Sequence, residues 1–148
     1  MTFTINDFFI DSSVLIEFNK GNKIKLFAEL NANEVFRCFI NETVVSEFLF
    51  HFLAYNGNKS PMSVHSSGKI AEVFDASPQY KLINMCSYVP TTKEIFTLVP
   101  RLMATYNLLP NDAIILATCK IHGFRQLASY DTDFVKPCEA EGIILVSE

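Results

Sequence analysis

Short apolar runs of strand length alternate with segments of helical period along this chain, and this alternation limits the possible folds more than any other feature. Asp7-Phe8-Phe9-Ile10-Asp11 reads as a short buried strand. Ser12 or Ser13 starts a helix that runs to about Asn19, where Lys20-Gly21-Asn22-Lys23 breaks it. Lys23 to Leu30 reads as a second short helix, and the β-rich run Val35 to Ile40 as strand two. Asn41 then caps a helix from Glu42 to about Tyr55, with Val44, Val45, Phe48, Leu49, Phe52 and Leu53 at helical spacing. Residues 57–67, rich in Ser, Asn and Gly, read as a loop or mobile connection, and Lys69 to Phe74 as a helix. The stretch from Tyr80 to Val89 is ambiguous, with a short strand expected near Ser87-Tyr88-Val89. A helix starting at Thr92 extends to about Tyr106, and Pro110 opens another that reaches His122 and stops at Gly123. Arg125 to Ser129 and Ile143 to Val146 complete the set as strands. Short buried strands separated by helices imply an α/β protein: three α/β/α layers around a central, mostly parallel sheet.

The 148 residues are expected to form one domain, residues 1–148. With 49% apolar residues and 14 phenylalanines, the chain can build a core that a disordered sequence could not. No apolar stretch approaches the ~20 residues of a membrane span, and the N-terminus has no basic region of a secretory signal. A cytoplasmic setting is expected. Cys38, Cys86, Cys119 and Cys138 are scattered, as are His51, His65 and His122, which argues for reduced thiols and against a zinc site.

Five acids attract attention: Asp11, Glu47, Asp112, Asp131 and Asp133. Asp11 ends the first apolar run, and Asp131 and Asp133 follow a later one in Ser129-Tyr130-Asp131-Thr132-Asp133-Phe134. In a parallel sheet the functional crevice lies at the carboxyl ends of the strands, so distant acids can converge there. Converging carboxylates repel one another and usually signal a hard divalent cation between them. Each acid also has an ordinary explanation. Asp11 suits a helix N-cap, Asp112 suits the first turn of a helix, and Asp131 and Asp133 suit a polar turn. Glu47 is harder to explain, because it interrupts the apolar positions Val44-Val45 and Phe48-Leu49 of its helix. The formal charge of −4 argues against a simple basic nucleic-acid binder. With the five acids set aside the rest of the chain is nearly neutral, so a phosphate-bearing substrate is not excluded.

The order of these residues is informative: strand-Asp11-Ser12-Ser13-helix, then Glu47 in the helix after strand two, then Leu109-Pro110-Asn111-Asp112 at a helix start, then strand-Ser129-Tyr130-Asp131-Thr132-Asp133-Phe134. This pattern resembles the PIN domain family of metal-dependent ribonucleases, particularly its VapC-type toxin members. The resemblance spans about Phe8 to Val146, is strongest from Asp112 to Phe134, and draws almost nothing from residues 57–90. It implies catalytic roles for Asp11, Glu47, Asp112 and Asp131, and Mg²⁺ or Mn²⁺ held by Asp11, Asp112 and Asp131. Ser13 and Asp133 take auxiliary places, with Glu47 and Asp133 bonding a ligand or metal-bound water. Ser129 stands where many relatives carry threonine, and the pattern leaves open whether Asp131 or Asp133 lies nearer the metal.

The resemblance implies hydrolysis of RNA phosphodiester bonds, either by the toxin of a toxin–antitoxin pair or by a stand-alone processing enzyme. A cognate antitoxin and a homodimer are the partners it implies. Lys20, Lys23 and Lys25 could track a phosphate backbone, although an ordinary solvated turn explains them as well. His51, four residues after Glu47, could contact substrate or simply be packed or exposed. Two other readings compete: a non-catalytic module of doubly wound fold, and a scaffold without activity. A receiver-like module would show paired acids early in the chain and a lysine after a late strand; there is no lysine near Ser129. The complete set of acids argues against an inactive scaffold.

Overall fold

The computed structural model describes residues 2–148. Strands β1 (Asp7–Ile10), β2 (Arg37–Ile40), β3 (Ser87–Tyr88), β4 (Gln126–Ala128) and β5 (Ile144–Val146) form one sheet in the order β3-β2-β1-β4-β5. Every strand pair is parallel, so the expected mostly parallel sheet is entirely so among the described residues. The helices are α1 (Ser12–Lys20), α2 (Lys25–Ala32), α3 (Glu42–Gly57), α4 (Pro61–Ser66), α5 (Ile70–Ala76), α6 (Lys93–Tyr106), α7 (Pro110–His122) and α8 (Val135–Glu141). Together they give the three-layer α/β/α arrangement. None is long and apolar enough to cross a membrane.

β1 is the spine of the sheet. Phe8, Phe9 and Ile10 are buried, as a strand covered on both faces requires. The phenylalanines explain much of the core: Phe3 stacks on Phe124 at 4.0 Å between ring centroids and meets Phe39 edge-on at 4.9 Å. At the start of β1, Asp7 is fully buried. It lies opposite Arg37 of β2, whose Nε and Nη2 donate to its two oxygens at 2.6 and 2.9 Å. Burial opposes the charge of Asp7, but Arg37 and the Thr4 amide outweigh it and hold the carboxyl below its ordinary range. This pair secures the edge of the sheet remote from the strand carboxyl ends.

The sequence reading of residues 57–67 as a loop needs correction, because α4 lies within it. Ser60 caps that helix by accepting from the Ser63 amide at 3.2 Å, Pro61 occupies its first turn, and Val64 is buried. Ser60, one of the serines that suggested a loop, and Pro61 are the start signals of a short helix anchored by one valine. The ambiguous stretch before β3 is a 3₁₀ helix, Pro78–Met85. α8 was not anticipated from the sequence.

Gly57 at the end of α3 lets α4 approach closely. A Cβ built there would lie 2.8 Å from Val64 Cγ2 and 3.3 Å from Val73 Cγ2. Valine is stiff about χ1 and cannot yield easily. Gly57→Ala should therefore destabilise the chain by about 1–3 kcal/mol despite the better helix propensity of alanine. Urea unfolding of the two proteins checks this, and an unchanged or higher midpoint would show that α4 moves aside freely.

Candidate active site

β1 lies between β2 and β4: the chain steps outward from β1 through β2 to β3, then crosses back to β4 and steps outward the other way to β5. Such a reversal opens a crevice at the carboxyl ends of the two adjacent strands. Asp11 follows β1 directly, and Ser129 to Asp133 follow β4. The Asp11 amide donates to Ala128 O at 2.9 Å, which joins the two strand ends at the crevice floor.

Asp11 is 3% exposed and caps α1 by accepting from the Ser13 amide at 3.4 Å. Its Oδ2 also accepts from Ser13 Oγ at 2.6 Å and from Ser129 Oγ at 2.7 Å. The same two hydroxyls accept backbone amides of the following loop: Tyr130 N reaches Ser13 Oγ at 3.1 Å, and Asp131 N reaches Ser129 Oγ at 3.0 Å. The network thus ties the position of Asp131 to that of Asp11. Burial pushes the Asp11 carboxyl up, the two serine hydroxyls oppose the shift, and Glu47 adds to it. The capping explanation and the convergence explanation of Asp11 therefore both hold.

Glu47 projects from α3, where its Oε1 accepts from Ser12 Oγ at 2.9 Å. Its Oε2 is buried without a hydrogen-bond partner. An orphaned carboxylate oxygen is costly unless a cation or water fills the position beside it. Asp112 stands in the first turn of α7, half-buried. Its pKa is pushed up to about 7, first by burial and then by Asp131, Asp11, Glu47 and Asp133 in that order. All four other acids thus act on one carboxyl. Oxygens of Asp112, Asp131 and Asp133 lie within 4.8 Å of one another.

The acids singled out in the sequence therefore gather in one place, with a difference in grouping. Asp133, expected to be auxiliary, falls within the tight trio. Asp11, expected among the ligands, lies outside that trio but within electrostatic reach of Asp112. Ser13 is bound to Asp11 as described. Of the three lysines, Lys20 pairs with Glu17 at 3.8 Å and Lys25 with Glu29 at 3.9 Å. Lys23 lies over the Tyr130 ring at 4.6 Å and borders a small hollow that includes Asp131. His51 is exposed. In the same helix Phe48 and Phe52 are buried while Phe50 is exposed, so most of that aromatic run belongs to the core.

The sequence reading missed a clamp behind the site. Asn41, fully buried after β2, caps α3 by accepting from the Val44 amide at 3.1 Å. Its Nδ2 donates to Thr118 Oγ1 of α7 at 3.0 Å, and that hydroxyl donates to Ile114 O at 2.7 Å. One asparagine thereby joins the helix bearing Glu47 to the helix bearing Asp112. Its cap role was readable in the sequence; no spacing signal identified Thr118 as the partner. Ser12, for which the sequence suggested no role beyond a possible helix start, lies against Glu47.

A parallel α/β/α sheet with a ring of carboxylates at its switch point defines a class of acid-centred α/β domains. The chain belongs to the PIN domain family, whose model matches residues 8–140, and within it to the VapC type. It is 31% identical to Ribonuclease VapC2 of Methanocaldococcus jannaschii, over 87% of this chain and 87% of that protein. It is 34% identical to Ribonuclease VapC6 of the same organism, over 86% of this chain and 90% of that protein. Among solved structures, VapBC2 from Rickettsia felis bound to a promoter DNA fragment superposes with a TM-score of 0.64 at 12% identity, covering 95% of this chain and 98% of that one. VapC20 of Mycobacterium tuberculosis, a sarcin-ricin loop cleaving toxin, superposes with a TM-score of 0.62 at 14% identity, covering 93% and 96%.

Proposed function

We propose that this chain is a divalent-metal-dependent endoribonuclease that hydrolyses RNA phosphodiester bonds as the toxin of a toxin–antitoxin pair. The observation that carries this reading is the gathering of Asp112, Asp131 and Asp133 oxygens within 4.8 Å, with Glu47, whose Oε2 is orphaned, in electrostatic reach of Asp112. Three gathered carboxylates and an unpaired buried carboxylate oxygen fit a hard dication such as Mg²⁺ or Mn²⁺, whose ligands are oxygens. Asp112, Asp131 and Asp133 would hold the ion, with Asp11 and Glu47 completing the ring. When bound, Mg²⁺ or Mn²⁺ lowers the pKa of water and offsets charge on the phosphate.

The chain's own groups do the remaining work. Ser13 and Ser129 keep Asp11 oriented through Oδ2, and through their amide contacts they place the Asp131 loop above it. Ser12 fixes one oxygen of Glu47, leaving the buried Oε2 free to accept a hydrogen bond from water. A substrate phosphate meets a strongly negative site until the dication offsets it, so metal and RNA should bind cooperatively.

The single-domain organisation, a cytoplasmic location, a homodimer and a cognate antitoxin partner belong to this proposal. The similarity to the two M. jannaschii ribonucleases supports the activity, and the likeness to VapB–VapC assemblies supports the antitoxin. The test is incubation of the pure chain with total RNA, with Mg²⁺ or Mn²⁺ or with EDTA, followed by end mapping. Discrete internal cuts that need the cation are expected. Undiminished cutting in EDTA, or none with either ion, would remove the proposal. A small protein that co-purifies and suppresses cutting separates the toxin from a stand-alone processing enzyme.

A further inference from the structure

Besides the small hollow at Asp131, two larger hollows adjoin the acidic centre. One, of about 380 Å³, meets it at Glu47 and Asp112. The other, of about 690 Å³, lies between the end of α6 and the Thr132–Phe134 turn that leads into α8, and meets the centre at Asp133. The larger hollow has the composition of a small-molecule site: Leu108 and Val135 give apolar surface, Asn107 and Thr132 give hydrogen-bonding groups, and Lys136 gives a cation. Neither the clamp behind the site nor the hydrolytic centre uses these residues.

We infer that this hollow is a nucleotide-recognition subsite, which takes the base and adjoining phosphate of a nucleotide next to the one whose phosphodiester is cut. The inference rests on the ribonuclease reading and specifies where its sequence preference resides. A strand whose scissile phosphate sits over the carboxylates extends to both sides of them, and on the Asp133 side it meets this hollow. Its volume lies within the roughly 300–1,000 Å³ of ligand pockets. An aromatic ring on which a base stacks, with polar groups that read the base edge, is a common mode of single-stranded RNA recognition, and Tyr106 and Asn107 both line the hollow. Asn107 ends α6 in a left-handed conformation at φ 56°, which sets its position on the rim. Lys136 is exposed and enters none of the ion pairs among the described residues, so its charge is available to a phosphate. It is also the only cation lining either hollow, and so offsets the acids where a polyanion has to approach.

Two variants test the assignment. Asn107→Gly removes the amide while retaining a residue at ease in the left-handed conformation, and Lys136→Ala removes the cation from an exposed position. Binding of the four nucleoside 5′-monophosphates to the full chain in Mg²⁺ is followed by NMR, and cleavage of a randomised RNA pool by end mapping. At least one monophosphate should perturb Asn107 and Val135 resonances, and both variants should weaken it about tenfold. Asn107→Gly should also flatten the preference at one position flanking the cut, with the loss mainly in KM. Cleavage with unchanged preference and KM in both variants would overturn the subsite while leaving the nuclease reading intact. Binding of a monophosphate at Asn107 without any RNA cleavage would leave the subsite standing and remove the nuclease. Absence of binding by all four monophosphates, or variants that change only the affinity for a co-purifying protein, would assign the hollow to something other than RNA.

Discussion

Asp112→Asn is expected to raise the thermal midpoint of the metal-free chain while lowering RNA cleavage at least about a hundredfold. The Asp112 pKa in the fold, about 7, lies above the ordinary 3.8 because burial and four neighbouring acids disfavour the ion. A carboxyl with a raised folded pKa contributes stability that is fully present below about pH 4 and is lost as pH climbs through about 7. At pH 8 the metal-free fold therefore carries the full cost of the ionised group. The full shift would correspond to roughly 4 kcal/mol, but the side chain is only half-buried and solvent screens much of it, so about 1–2 kcal/mol is expected. Loss of a favourable charge at the start of α7 takes back about 0.5 kcal/mol. The expected rise is about 2–6 °C at pH 8 in EDTA. Mg²⁺ or Mn²⁺ should raise the midpoint of the unaltered protein, since a ligand that binds only the fold stabilises it, and should raise that of the variant much less. Calorimetry at pH 5 and pH 8, with and without metal, measures all of this. A variant less stable than the parent at pH 8, or one with an undiminished response to the cation, would show that Asp112 is not under this repulsion.

Asn41→Ala has the second large expected effect, and it acts through packing rather than charge. The substitution leaves the Val44 amide without its cap and Thr118 Oγ1 without its buried donor. Loss of an N-cap costs about 1–2 kcal/mol, and leaving buried polar groups unmatched costs a further ~1–2 kcal/mol. A fall in the thermal midpoint of roughly 5–15 °C follows. Thr118→Val should cost less, because α3 keeps its cap. The double variant should lose less than the sum of the two, since both changes disrupt one contact. Because the clamp joins the helices that carry Glu47 and Asp112, RNA cleavage measured well below the midpoint should also fall in Asn41→Ala. Full additivity of the two changes would mean that the hydrogen bond between α3 and α7 contributes nothing.

Element identity was legible where the pattern was long or bounded by strong signals. α3 and α7 follow from helical spacing behind Asn41 and from Pro110 and Gly123, and β1 from the run Asp7 to Ile10. α4 was misread because Ser60 and Pro61 serve loops and helix starts equally, and only the burial of Val64 distinguishes the two. β3, two residues long, lies where a short strand was expected near Ser87-Tyr88-Val89, and its pairing with β2 supplies the support that so short a run lacks by itself.

For the site, local chemistry marked the acids as unusual, since a carboxylate at a buried strand end or amid apolar helix positions carries a desolvation cost that calls for a partner. That cost is a property of each residue's immediate surroundings, so the linear chain already contains it. Which acid neighbours which depends on distances between segments far apart in the chain, 118 residues for Asp11 and Ser129, and these arise only when β1 and β4 pair and α7 packs behind them. Closure of the sheet grouped Asp133 with Asp112 and Asp131 while keeping Asp11 within electrostatic reach, matched Asn41 with Thr118, and opened the hollow next to the acids, because side-chain proximity across strands is created by packing and has no counterpart in the local pattern.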